Sequence, residues 1–228
     1  MMAEENRPRS AFAALQRTRM AARYGLAVTR DELAAVRALR SMSWTGSDFT
    51  RQLVESAFVD LHDEAPHARI VMLHVGSSLA GTIRIHPLSP DEASFGPTGA
   101  LNPEGLSKLL RDKPGPVIDL AGLAICPQAA RQYPGLPHLL LRAGFQAASS
   151  FGARFCIAAV RHDHQSLYRR VLCCKFLTPG WAARQRPALL ETMMTDVGLH
   201  WPHVLARYPF FTAGEEDWAA ILGERLPA

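Results

Sequence analysis

Long apolar runs are missing from this 228-residue chain. None approaches the roughly 18 consecutive apolar residues that cross a bilayer, so no transmembrane segment is expected. The opening MMAEENRPRS has neither an apolar h-region nor a cleavage site, which makes the cytoplasm the expected compartment. Cysteine is scarce: Cys126, Cys156, Cys173 and Cys174 show no CxxC spacing, and the adjacent pair does not close easily on itself. That sets aside a disulfide framework and a zinc knuckle, and favours small buried side chains in a reducing compartment. Neither GxxxxGK[S/T] nor GxGxxG occurs, which removes kinase and dinucleotide readings, and without a GxSxG elbow a serine hydrolase has no support. No internal repeat or low-complexity block is present. His162-Asp163-His164 and His62-Asp63-Glu64 are local N/O groups, but a metal needs three or four converging ligands. No metal is expected, and Asp163 reads as a helix N-cap.

What is present suits a folded domain: 48% hydrophobic, 20% charged and a mean hydropathy of −0.03. The length suffices for one core, giving a basic N-terminal arm over residues 1–28 and a single domain over 29–228. Net charge is +4, and the basic side is almost all arginine. Arg7, Arg9, Arg17, Arg19, Arg23 and Arg30 gather before Asp31, diluted only by Glu4 and Glu5. Such an arm suits nucleic acid, an anionic lipid surface or an acidic protein. Aromatics are not interleaved with the basic residues and no helix-turn-helix follows, so no nucleic-acid partner is expected; peripheral membrane contact stays open.

Residues 1–28 read as a tail or short basic helix ending at Gly25. Thr29 and Glu32 form a capping box that opens a helix with Leu33, Val36, Leu39 and Arg40 on one stripe. Residues 43–64 read as a loop with a helical turn, finishing in Asp60, Asp63 and Glu64. Runs 69–75 and 79–85 around Gly76-Ser-Ser78 predict a hairpin ended by Pro87 and Pro90, with Arg84 on the face opposite Ile83 and Ile85. Residues 88–115 read as a surface excursion holding a short helix near 104–111. Residues 116–125 predict a buried strand with two exceptions, Asp119 and Gly122. A buried carboxylate must find partners or do work, and a glycine inside a strand marks a bulge or a close approach. A loop, QAARQYPGLP, leads to a helix over 138–151 stopped by Gly152. Then come a strand at 154–160, RHDHQSLYRRVLCC as a helix, short strands at 175–177 and about 188–196, a helix near 201–207 and a closing amphipathic segment. This order implies an α/β (α+β) fold with a mixed sheet.

The run FVDLHDEAPHARIVMLHVGSSLAGTIRIHPLSP, followed by YPGLPHLLLRAGFQAASSFGARFCIAAVRHDHQSLYRRV and RYPFF, resembles the N-acyl amino acid synthase branch of the GNAT acyltransferase superfamily. That branch is related to the acyl-homoserine-lactone synthases, and the similarity covers roughly residues 28–212. The resemblance implies a GNAT-like twisted sheet whose fourth and fifth strands splay apart, with a thioester in the gap. It further implies transfer of a long acyl chain from the phosphopantetheine of an acyl carrier protein to the amine of an amino acid, with no permanently bound cofactor. Asp119 stands where the family carries Glu, and would take the ammonium proton directly or through water, or serve structure alone. Leu123 N–H is the implied oxyanion donor beside a bulge at Gly122, and the Tyr168 hydroxyl the donor to the departing thiolate. Arg84 would pair with Asp60 or Asp63, or meet the substrate carboxylate.

Two departures accompany the resemblance. Gly122 occupies the arginine position of the family's Glu-x-x-Arg, and Arg131-Gln-Tyr-Pro-Gly-Leu-Pro137 replaces the acetyltransferase loop Q/RxxGxG/A. The second argues against coenzyme A as donor, since a helix N-terminus lined by amides is what holds its pyrophosphate. An acyl carrier protein is strongly acidic, and Arg131, Arg142, Arg161, Arg169 and Arg170, with the N-terminal arm, are its expected docking surface. Apolar residues of the C-terminal third suffice to line a tunnel for the acyl tail. The alternatives are a lactone synthase using S-adenosylmethionine, a degenerate acyl- or lipid-binding module without turnover, and a coenzyme A-dependent acetyltransferase.

Overall fold

A computed structural model describes residues 7–44, 61–65, 67–88, 103–112, 114–177, 190–212 and 214–223. The Thr29–Glu32 capping box forms as read: Glu32 N–H donates to Thr29 Oγ1 (3.2 Å), and Thr29 N–H donates to the Glu32 carboxylate (2.8 Å). It opens helix α2 (Arg30–Trp44), preceded by α1 (Arg7–Ala21) and strand β1 (Ala22–Leu26). The basic helix therefore stops before Gly25, and residues 22–26 join the sheet against β2 (Arg69–Val75). The hairpin from β2 to β3 (Ser78–Leu88) forms, but β3 runs through Pro87. Its pairing with β2 ends at Ile85, so from His86 onward β3 has only β4 (Val117–Ile125) beside it, the kind of one-sided edge where proline is tolerated.

Helix α3 (Pro103–Asp112) lies within the predicted excursion. QAARQ, read as loop, is helix α4 (Pro127–Gln132). Then follow α5 (Leu136–Ser150), β5 (Phe155–Arg161), a 3-10 turn (His162–His164), α6 (Gln165–Leu172), β6 (Lys175–Phe176), β7 (Leu190–Asp196), α7 (Val197–Arg207) and α8 (Glu215–Leu222). Asp163 does not cap α6: His164 is its N-cap, and the Asp163 carboxylate accepts from Arg161 instead (2.6 Å).

The sheet runs β1-β2-β3-β4-β5-β7-β6, and β4 with β5 is its parallel pair. One face, with Val71, Leu73, Ile83, Ile85, Ile118 and Leu120, packs on α5. Gly144 lets that helix approach closely, because a Cβ there would lie 2.7 Å from Leu120. The other face carries Ile70 and Met72 against Val36 of α2. Cross-strand partners share a face, so Arg84, His86 and Asp119 lie on the α2 side. Among the described residues no helix is long and apolar enough to cross a membrane.

Candidate active site

Strands β4 and β5 pair over three residues only, Val117–Phe155, Ile118–Cys156 and Asp119–Ile157, and then part. Beyond Asp119, β5 keeps its other neighbour, β7, while β4 keeps β3. Between the separated halves lies a cleft lined by Trp44, residues 120–123, residues 159–161, His164, Tyr168 and Leu190, with an empty volume of about 510 Å³ including its open mouth.

A bulge shapes the β4 wall. Thr82 faces Ala124 and Arg84 faces Ala121, so β4 holds one residue more than β3 across Gly122 and Leu123. Gly122 has φ +62°, and a Cβ on it would sit 2.7 Å from a guanidinium nitrogen of Arg40. The C-terminal half of α2 is fastened along this stretch: Trp44 Nε1 donates to Leu123 O (3.4 Å) and Ser43 Oγ accepts from Ile125 N–H (3.3 Å). The resemblance calls for an arginine at 122. Glycine instead admits the guanidinium of Arg40 from a different element, so a cation still lies against the bulge.

Arg40 begins a buried charge chain. Its Nη1 lies 2.5 Å from Asp63, Arg84 lies 3.7 Å from Asp63, and Arg84 again lies 3.8 Å from Asp119. Every side chain in it is at most 2% exposed. The expected partnership of Arg84 with Asp63 is therefore present, and Asp119 is its second carboxylate. Asp60 lies outside the described residues. Asp119 is fully buried and is not among the residues that line the cleft, so it faces the arginines rather than the gap. Gly122, Leu123 and Tyr168 do line the gap. Burial, reinforced by Cys174 and Asp119, pushes the Tyr168 phenol well above its ordinary pKa, so it stays protonated.

The five arginines expected to dock a carrier separate. Arg131, Arg169 and Arg170 are exposed, and Arg161, on the cleft wall, is partly so. Arg142 does not belong with them: it is 1% exposed on α5 and reaches Asp217 (2.7 Å), Tyr24 Oη (3.2 Å) and Thr212 O (3.0 Å). Asp217 also receives Arg19 of α1 (2.6 Å), so Arg142 and Asp217 tie α1 and α8 to the central helix. Of the apolar residues beyond Tyr168, Leu190 lines the cleft, whereas Trp201 packs on Phe145, and Tyr208, Phe210 and Phe211 pack on one another. Among the described residues no three His, Cys, Asp or Glu side chains converge as a metal site.

Arg40 is the residue that sequence reasoning leaves without a role. Its signal is a charge on the apolar stripe, one turn after Val36. The bulge gives a direct test. Gly152 has φ +59°, and a Cβ added there would meet nothing within 4 Å, so Gly152→Ala exposes backbone strain alone, about 1–2 kcal/mol. Gly122→Ala is expected to cost more than Gly152→Ala in urea melts, because the methyl must also push Arg40 off Asp63.

A family model described as N-acyl amino acid synthase FeeM matches residues 35–190, a span holding Arg40, Asp63, Arg84, Asp119, Gly122 and Tyr168. Among solved structures, FeeM, an N-acyl amino acid synthase from uncultured soil microbes, is similar at 17% identity and a TM-score of 0.62, covering 82% of this chain and 97% of that one. An acyl-CoA N-acyltransferase from Pseudomonas aeruginosa matches at 16% identity and a TM-score of 0.51, covering 77% and 99%. The ribosomal-protein-S18-alanine N-acetyltransferase from Escherichia coli matches at 13% and 0.51, covering 77% and 94%. These likenesses show a shared α/β fold of the GNAT type. No curated protein matches the sequence.

Proposed function

The chain belongs to the family of the N-acyl amino acid synthase FeeM and is an acyltransferase of GNAT-like fold, and from that premise we propose that it moves a long-chain acyl group from an acyl carrier protein to the amine of an amino acid. The phosphopantetheine arm enters the gap between β4 and β5, bringing its thioester to the bulge. Leu123 N–H holds the oxyanion of the tetrahedral intermediate, and Tyr168 O–H gives a proton to the departing thiolate. The chain Arg40–Asp63–Arg84–Asp119 keeps the bulged strand in place behind them.

The donor assignment rests on one observation above others. The N-terminus of α5, where a nucleotide pyrophosphate would seek helix amides, is covered by α1: a Cβ on Gly135 would lie 2.8 Å from Thr18 Oγ1 and 3.1 Å from Leu15. Pro137, inside the first turn, removes one amide there as well. A donor whose arm ends in a protein needs no such cradle, and exposed Arg131, Arg169 and Arg170 suit an acidic carrier.

The test compares one acyl group on carrier protein and on coenzyme A, with a panel of amino acids and mass spectrometry of the amide. The carrier is expected to be the better donor by kcat/KM; equal or better use of coenzyme A would overturn the donor assignment. Arg169→Glu with Arg170→Glu is expected to raise KM for the acylated carrier on the order of tenfold, and to weaken its salt dependence, rather than to act on kcat. Initial rates at several ionic strengths check this.

A further inference from the structure

An amino acid arrives as an ammonium ion, and its nitrogen attacks only after losing a proton. The acceptor of that proton must reach the cleft. Asp119 does not reach it directly: it is 0% exposed, absent from the cleft wall and 3.8 Å from Arg84. The titratable side chains among the described residues that line the gap are Arg161, His164 and Tyr168. Arg161 is a permanent cation held by Asp163 at 2.6 Å, and Tyr168 keeps its proton. His164 remains, four residues before Tyr168 and on the same cleft, with its side chain 47% exposed and therefore open to an incoming substrate.

On the acyl-transfer reading given above, we propose that His164 is the catalytic base that takes the proton from the acceptor ammonium inside the β4–β5 cleft. The imidazole removes one N–H proton and later yields it to solvent. The freed lone pair forms the C–N bond at the thioester carbonyl, and collapse of the intermediate breaks the C–S bond. The thiolate takes its proton from Tyr168, and the phenol is restored by the second proton of the attacking nitrogen. The product is an amide and a free thiol, with no redox change.

The surroundings favour the neutral form of His164. Burial pushes its pKa below the usual value, Arg161 pushes the same way, and Asp163, 3.9 Å from Nε2, opposes them. The other described walls, Trp44 of α2, residues 120–123 of β4, Ala159 and Val160 of β5 and Leu190 of β7, bring no charge of their own, and Arg40 lies against Gly122.

The experiment is the pH profile of kcat at saturating amino acid for wild type, His164→Gln and Asp163→Asn. Wild type is expected to lose rate as pH falls through a lowered histidine pKa. His164→Gln is expected to lose at least about 100-fold at pH 7, to lose that acid limb, and to recover in part as pH rises toward the pKa of the free amine. Asp163→Asn removes the charge that raises the imidazole pKa, so the acid limb moves to lower pH in an enzyme that keeps its base. An acid limb that stays put in Asp163→Asn, or a His164→Gln enzyme within about threefold of wild type with its limb intact, would overturn the proposal. If wild type makes amide and His164→Gln makes it equally well, only the base assignment falls. If wild type makes no amide with any amine, the transfer reading falls first.

Discussion

Asp63→Ala is expected to destabilise the protein by about 3–5 kcal/mol, because it removes the carboxylate between two buried guanidinium groups and replaces it with nothing that can pair. Arg40, 2.5 Å from Asp63, and Arg84, 3.7 Å away, are 2% and 1% exposed, so neither reaches water without moving the strand or helix that carries it. The Arg40 guanidinium that lies against the bulge at Gly122 would lose this carboxylate, and so would Arg84. For a chain of this size the loss amounts to about 10 °C in Tm. The neighbouring residue supplies the control. Glu64 also meets an arginine, Arg37 at 3.1 Å, but its side chain is 68% exposed. Glu64→Gln is expected to change stability by less than about 1 kcal/mol. Urea melts of the two variants check the contrast; equal effects would mean that the buried chain of charges is not what holds the bulge.

Tyr168→Phe is the second large effect, and it falls on rate rather than on folding. The ring is 5% exposed and packs in the main core, where phenylalanine fills the same space. Only the hydroxyl is lost, so the melting curve is expected to stay close to wild type. If that hydroxyl protonates the leaving thiolate, kcat falls about 100-fold or more, with KM for the acyl donor little altered. Replacing the pantetheine thioester by one with a more acidic thiol, which leaves without help, should restore most of the loss. A Tyr168→Phe enzyme that turns over normally, or one no better with the activated thioester, would remove Tyr168 from the reaction. Because burial holds the phenol protonated, no alkaline limb at moderate pH is expected from this residue.

Sequence reading succeeds where one short pattern decides the structure. Thr29 and Glu32 determine a helix start within a few residues, and Gly122 in an apolar run marks a bulge that is present at that position. Alternation places Arg84 opposite Ile83 and Ile85, which is enough to send it toward the acidic turn. The failures share a physical cause, dependence on partners distant in sequence. Residues 22–26 are a strand because β2 offers an edge, which local propensity does not record. Pro87 stays inside β3 because the pairing with β2 that it would break has already stopped at Ile85. The stretch after Pro127 reads as a loop, although proline in the first turn of a helix is favourable. Arg142 looks like one surface cation among five, and the acid that buries it, Asp217, lies 75 residues away. His164 stands out in the sequence only as one of two nearby histidines to weigh as metal ligands. What gives it a proposed role is the gap opposite it, and a gap between two strands is not written in either of them.

On the proposed mechanism the parted strands receive the acyl thioester at the bulge. A crystal structure with an acyl-pantetheine whose sulfur is replaced by methylene, so that the carbonyl is kept and transfer is blocked, tests it most directly. The arm is expected between Leu120–Leu123 and Ala159–Val160, with the ketone oxygen about 3 Å from Leu123 N and the methylene facing Tyr168. An arm bound elsewhere on the molecule, with the β4–β5 gap empty, would contradict it.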